Sequence, residues 1–152
     1  MKQVLMNALG ATLIGDNEKL KEANNALSEM AQQPGYCMTL MEIIDDGSLN
    51  VPIKQAGLIQ LKNTIKAKWK CKTESLQMSQ DEKISIRNSL ITAVCRCAQH
   101  PLLIKIYREI ISTVIGYEYE NWIPIEEIIG KLHKNEDVVP IFHCILGICT
   151  NF

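Results

Sequence analysis

The stretch Ile53–Trp69, IKQAGLIQLKNTIKAKW, decides the fold. Placed on a wheel at ~100° per residue, Leu58, Leu61, Ile65 and Trp69 form one apolar stripe. Ile53, Ala56, Gln60 and Ala67 form a second flank of small and apolar character. Between them runs a polar ridge of Gln55, Ile59, Lys62, Lys66 and Lys70, with Asn63 beside it. A helix with two apolar flanks and one narrow polar ridge is packed on both sides. That is the position of an inner helix in a stacked solenoid, its ridge facing the concave surface. The ridge is also one-signed: between Val51 and Thr73 there are six lysines and no Asp or Glu. No carboxylate at i±4 neutralises it within the helix. An acidic partner would convert that local repulsion into long-range attraction and a faster on-rate.

The rest of the chain repeats the helical spacing. Pro34, Pro52, Pro101, Pro124 and Pro140 each fall near the start of an apolar-periodic segment. The first helical turn tolerates proline because its missing N–H had no intrahelical partner. The spacing predicts helices over 3–14, 17–32, 34–45, 51–70, 79–99, 101–116, 122–134 and 138–150. Ser79 followed by Glu82 reads as a capping box, and Gly116 as a helix end. Taken in pairs, these helices recur at roughly 40 residues, the length of HEAT-type repeats. The predicted fold is therefore all-α, a right-handed α-solenoid of about four HEAT repeats built from paired antiparallel helices. The repeats span 1–33, 34–72, 79–117 and 121–152 within one domain, 1–152. The last helix is apolar nearly all round and would leave Ile141, Phe142, Ile145 and Ile148 partly in water. A terminal repeat has a polar outer face, so a longer natural chain or a covering partner is expected.

Composition bounds the function. The chain has 152 residues, 47% of them hydrophobic, enough for one domain with a core. Aromatics are only 5%, so the core is built from Leu, Ile, Met, Ala and Val. A net charge of −1 argues against a globally basic nucleic-acid binder. No apolar run reaches the ~18 residues of a membrane span. The opening MKQVLMNALGATLIGD has the outline of a signal peptide, but Asn7 interrupts the run and no cleavage site stands out. Six cysteines in so apolar a chain suit a reduced setting, where buried Cys acts as a small hydrophobe.

Two segments carry a resemblance. LKEANNALSEMAQQPGYCMTLMEII (residues 20–44) followed by VPIKQAGLIQLKNTIKAKW (51–69) resembles the N-terminal signature of the importin-β (karyopherin-β) superfamily. The matching residues are Lys21, Ala23, Leu27, Pro34, Gly35, Leu40, Ile43, Lys54, Gln55, Ala56, Leu61, Lys62, Asn63 and Trp69. ISIRNSLI (84–91) and YEYENWIPI (117–125) resemble the third and fourth repeats, and the whole looks closest to the importin-seven/eight type. The resemblance implies a nuclear transport receptor, shuttling between cytoplasm and nucleus, whose inner helices bind the GTP form of Ran. It implies Lys62, Asn63, Lys66 and Lys68 as Ran contacts; Gln55 and Lys70 are added from the wheel alone. Import cargo and nucleoporins would be met by later repeats that this chain lacks. Lys54 departs from the more frequent Arg.

Other chemistries read weakly. Cys95 and Cys97 lie about 200° apart on a helix and do not readily share an ion with His100. His143 and Cys144 add no ligand set. There is no Gly-rich phosphate loop and no nucleophile with a visible base. The expectation is no enzyme, cofactor or metal. DNA or RNA binding through the ridge lacks interleaved aromatics or arginine. The alternative is a generic HEAT scaffold for another acidic partner.

Overall fold

The computed structural model describes residues 1–118, 120–122, 124–134, 143, 145, 146 and 149. They form seven α-helices and one 3-10 turn, with no strand among the described residues. The fold is all-α, as the spacing predicts, and consistent with HEAT-like helical repeats. The chain divides into two compact units, Met1–Thr64 and Ile65–Phe152.

The first unit holds α1 (Lys2–Ala11), α2 (Asn17–Met30), α3 (Tyr36–Asp45) and most of α4 (Val51–Lys68). α1 packs on α2 and on α3. Its buried Leu5, Ala8 and Leu9 recur at three and four residues, one face of a helix. Ala23, Leu27 and Met30 of α2, and Tyr36, Cys37, Leu40, Met41, Ile43 and Ile44 of α3, are buried as well. Each fully buried Leu or Ile contributes roughly 1.5–3 kcal/mol. The Asp16 carboxylate caps α2, accepting from the Glu18 and Lys19 amides at 2.9 and 3.2 Å. The Asn50 side chain caps α4, accepting from the Ile53 amide at 3.2 Å. Such caps contribute about 1 kcal/mol each. Two glycines have steric reasons. Gly35 has φ +78°, a left-handed conformation that costs glycine nothing. A Cβ on Gly57 would stand 3.3 Å from Ile44 Cγ1 and 3.7 Å from Leu9 Cδ1, so glycine lets α4 lie close to α3 and α1.

The second unit runs from the end of α4 through the 3-10 turn (Glu74–Leu76), α5 (Gln80–Arg96), α6 (Pro101–Glu118) and α7 (Ile125–His133). α5 packs on α6. The core comprises Ile86, Leu90, Ile91 and Val94 of α5 with Leu103, Tyr107, Ile110 and Val114 of α6. Ser79 Oγ accepts from the Glu82 amide at 3.2 Å, the forward bond of the expected capping box.

Several boundaries differ from the sequence reading. α3 begins at Tyr36 because Gly35 is left-handed. α4 stops at Lys68 and α5 at Arg96. α6 runs through Gly116 to Glu118: the glycine is tolerated, and Glu118 is tied down beyond it. Ile84 is 43% exposed, while Lys83 beside it is only 3% exposed. Leu20 is exposed and Trp122 half-buried. The eighth helix, 138–150, with Ile141, Phe142, Cys144 and Ile148, lies outside the described residues apart from isolated positions. No helix among the described residues is long and apolar enough to cross a membrane.

Candidate functional site

α4 carries the candidate site, and its burial follows the wheel on one side only. Leu58, Leu61, Ile65 and Trp69 are fully buried. The second flank is looser than expected: Ile53, Ala56 and Gln60 are half-buried and Ala67 is exposed. The helix therefore has one continuous buried arc, and its polar face is wider than a narrow ridge. Ile59, Asn63, Lys66 and Ala67 are exposed on it.

The six sequence-predicted residues fall into different surroundings. In the first unit, Gln55 lines a cavity of about 270 Å³ with Thr12, Leu13, Asn24, Pro52, Ala56, Ile59 and Gln60. Asn63 is exposed. Lys62 is half-buried and already engaged within the protein, as is Lys68 in the second unit. The Lys68 carbonyl also accepts from the Met78 amide at 3.0 Å, which helps fix the chain as it leaves α4. Lys66 is exposed and lines a cavity of about 300 Å³ with Arg108, Glu109, Ser112 and Thr113 of α6. Lys70 stands beyond the end of the helix, so it leaves the phase of the ridge. Its Nζ lies 5.8 Å from the centre of the Tyr117 ring, a cation–π contact of about 0.5–1 kcal/mol at an exposed site.

A charge cluster in the second unit holds the end of α4. The Trp69 indole Nε1–H donates to Glu118 Oε1 at 2.9 Å, and Arg87 lies 3.4 Å from Glu118 Oε2. Lys83 Nζ lies 6.0 Å from the centre of the Trp69 ring. Burial holds the Lys83 ammonium below the usual lysine range, and Glu118 offsets part of that effect. A carboxylate shared by an indole and cations in a half-dry site is a structural clasp. No reacting group is presented by it. Among the described residues, His, Cys, Asp and Glu form no group of three or more able to hold a metal ion. Cys95 is half-buried and Cys97 buried.

Sequence reasoning missed Arg108, Lys83 and Glu118. The signal for Arg108 was present: Lys105, Arg108, Glu109, Ser112 and Thr113 trace a polar stripe at i, i+3, i+4, i+7, i+8 along α6. Nothing local marks Lys83, which sits among polar neighbours in sequence and is buried by tertiary packing.

Residues 23–96 match the family described as importin-beta N-terminal domain. The matched segment begins within α2 and ends with α5, and contains all six predicted contact residues; Arg108 lies outside it. No curated protein matches the chain, and no solved structure does.

Proposed function

We propose that the chain is the N-terminal arch of an importin-type nuclear transport receptor, and that the polar face of α4 binds Ran in its GTP form. The single observation that carries this is an acid-free lysine helix lying inside the segment similar to the importin-beta N-terminal domain. The contact set comprises Gln55, Lys62, Asn63, Lys66, Lys68 and Lys70. Exposed Asn63 and Lys66 are the members most available to a partner. The proposal includes the four-repeat division at 1–33, 34–72, 79–117 and 121–152, the importin-seven/eight type, and shuttling between cytoplasm and nucleus. Import cargo and nucleoporins are the further partners in this reading. The device is one of binding. Ran-GTP and cargo oppose each other through a coupling free energy that is necessarily reciprocal.

The test is a pull-down with Ran loaded with a non-hydrolysable GTP analogue or with GDP. GTP-selective capture, weakened by Lys62→Glu with Lys66→Glu and less salt-sensitive in that variant, supports the reading. Capture that ignores the nucleotide transfers the surface to the alternative, a HEAT scaffold for another acidic partner.

A further inference from the structure

We propose that Lys66 and Arg108 are the two cationic walls of a pocket that receives one carboxylate from an acidic protein segment. Lys66 comes from the last turn of α4, and Arg108, Glu109, Ser112 and Thr113 from α6. The four α6 residues stand at i, i+1, i+4 and i+5, two adjacent rows of one helix face. Together they line a cavity of about 300 Å³ open to solvent. Neither Lys66 nor Arg108 forms an ion pair with a described residue.

The chemistry of the lining selects the ligand. Two cations against the single carboxylate of Glu109 leave a formal excess of one positive charge. That matches one carboxylate better than a phosphate carrying about −1.5 to −2. Glu109 is already engaged within the protein. The Thr113 hydroxyl donates to the Glu109 carbonyl at 2.8 Å. The donors offered to a newcomer are therefore chiefly the Arg108 fork and the Lys66 ammonium. A guanidinium matches a carboxylate with two parallel hydrogen bonds, while an ammonium adds a point charge. Arg108 is half-buried and Lys66 exposed, so Arg108 loses less side-chain freedom on binding and carries the larger share. The inference rests on the reading above only in that an acidic partner meets this face; it does not need that partner to be Ran.

The test titrates the full chain with a capped peptide of alternating Asp and Ser, and with the same peptide carrying Asn for Asp. The Asp peptide is expected to move the Arg108 side-chain Nε–H signal in the NMR spectrum, and the Asn peptide to leave it in place. Arg108→Gln, which keeps most of the stem, is expected to weaken the Asp peptide about ten-fold. Lys66→Ala is expected to weaken it about three-fold, and Arg108→Lys to fall between wild type and Arg108→Gln. Far-UV circular dichroism checks that each variant is folded. Unchanged affinity in folded Arg108→Gln, equal binding of the Asn peptide, or no binding of the Asp peptide to wild type overturns the pocket. Ran separates the two proposals. Arg108-dependent peptide binding with nucleotide-blind Ran capture keeps the pocket and sinks the Ran reading. GTP-selective capture with an Arg108-independent peptide does the reverse.

Discussion

Removing the Glu118 side chain tests whether the clasp at the end of α4 holds the second unit together. Glu118→Ala deletes the acceptor of the Trp69 indole N–H, a residue with no solvent exposure. An orphaned buried donor costs about 1–3 kcal/mol. The same change strips the counter-charge from Arg87, whose side chain is 18% exposed, and from Lys83, which is 3% exposed. Breaking a buried ion pair from one side costs ~3–5 kcal/mol. The Arg87 contact is long at 3.4 Å and partly wet, so the lower half of that range is expected for the whole substitution. Glu118→Gln keeps a carbonyl oxygen for the indole and loses only the charge, so about 1–2 kcal/mol is expected. The assay is urea unfolding, with midpoint and slope compared across wild type, Glu118→Gln and Glu118→Ala. A cycle combining Trp69→Phe with Glu118→Ala isolates the indole bond. An alanine variant within 0.5 kcal/mol of wild type, roughly the spread of neutral surface changes, refutes the clasp. Equal loss in Gln and Ala refutes the share given to the indole bond.

Lys83 gives a pH test: its folded pKa lies below its unfolded value of 10.5, so the unfolded chain holds that proton to higher pH. Stability then rises as pH climbs through the window just below 10.5, and Lys83→Met flattens that limb in a series of urea curves. Tyr36 has the opposite sign: burial, with a smaller push from Cys37, raises its phenol from 10.0 to about 12, so stability falls between those values by ~2–3 kcal/mol. In a tyrosinate absorbance titration, a late phase near pH 12 is expected in wild type and not in Tyr36→Phe. Gly57→Ala places a methyl 3.3 Å from buried Ile44 Cγ1; crowding there outweighs the ~1 kcal/mol gained in helix propensity. The variant melts lower, whereas Gly10→Ala in α1, with nothing within 4 Å, melts at or above wild type.

The helices were legible because their apolar faces follow a 3.6-residue period and their starts carry prolines or caps. Leu58, Leu61, Ile65 and Trp69 could be placed on one face without any partner helix in view. What the sequence could not show was where a helix stops when no local signal ends it. Gly116 reads as a terminus, yet α6 continues to Glu118, whose carboxylate meets Trp69, 49 residues earlier in the chain. The same holds for the site. The lysines of α4 could be found by counting; Arg108, 42 residues after Lys66 in sequence, joins that surface only when α6 is folded beside the end of α4.

The six lysines between Val51 and Thr73 do not act as one reserve of charge. Lys62 and Lys68 are engaged within the protein, and Lys70 is held at 5.8 Å over Tyr117. The long-range field does not register that distinction. A charge within about a Debye length, ~8–10 Å at physiological salt, steers an approaching acidic surface whether or not its donors are already in use. Contact does register it, because only a donor that can be redirected forms a new short hydrogen bond. Under the proposed binding, the whole segment sets how fast an acidic partner arrives, while Lys66, with Arg108, sets how slowly it leaves. Charge counting on the sequence recovers the first property and overstates the second.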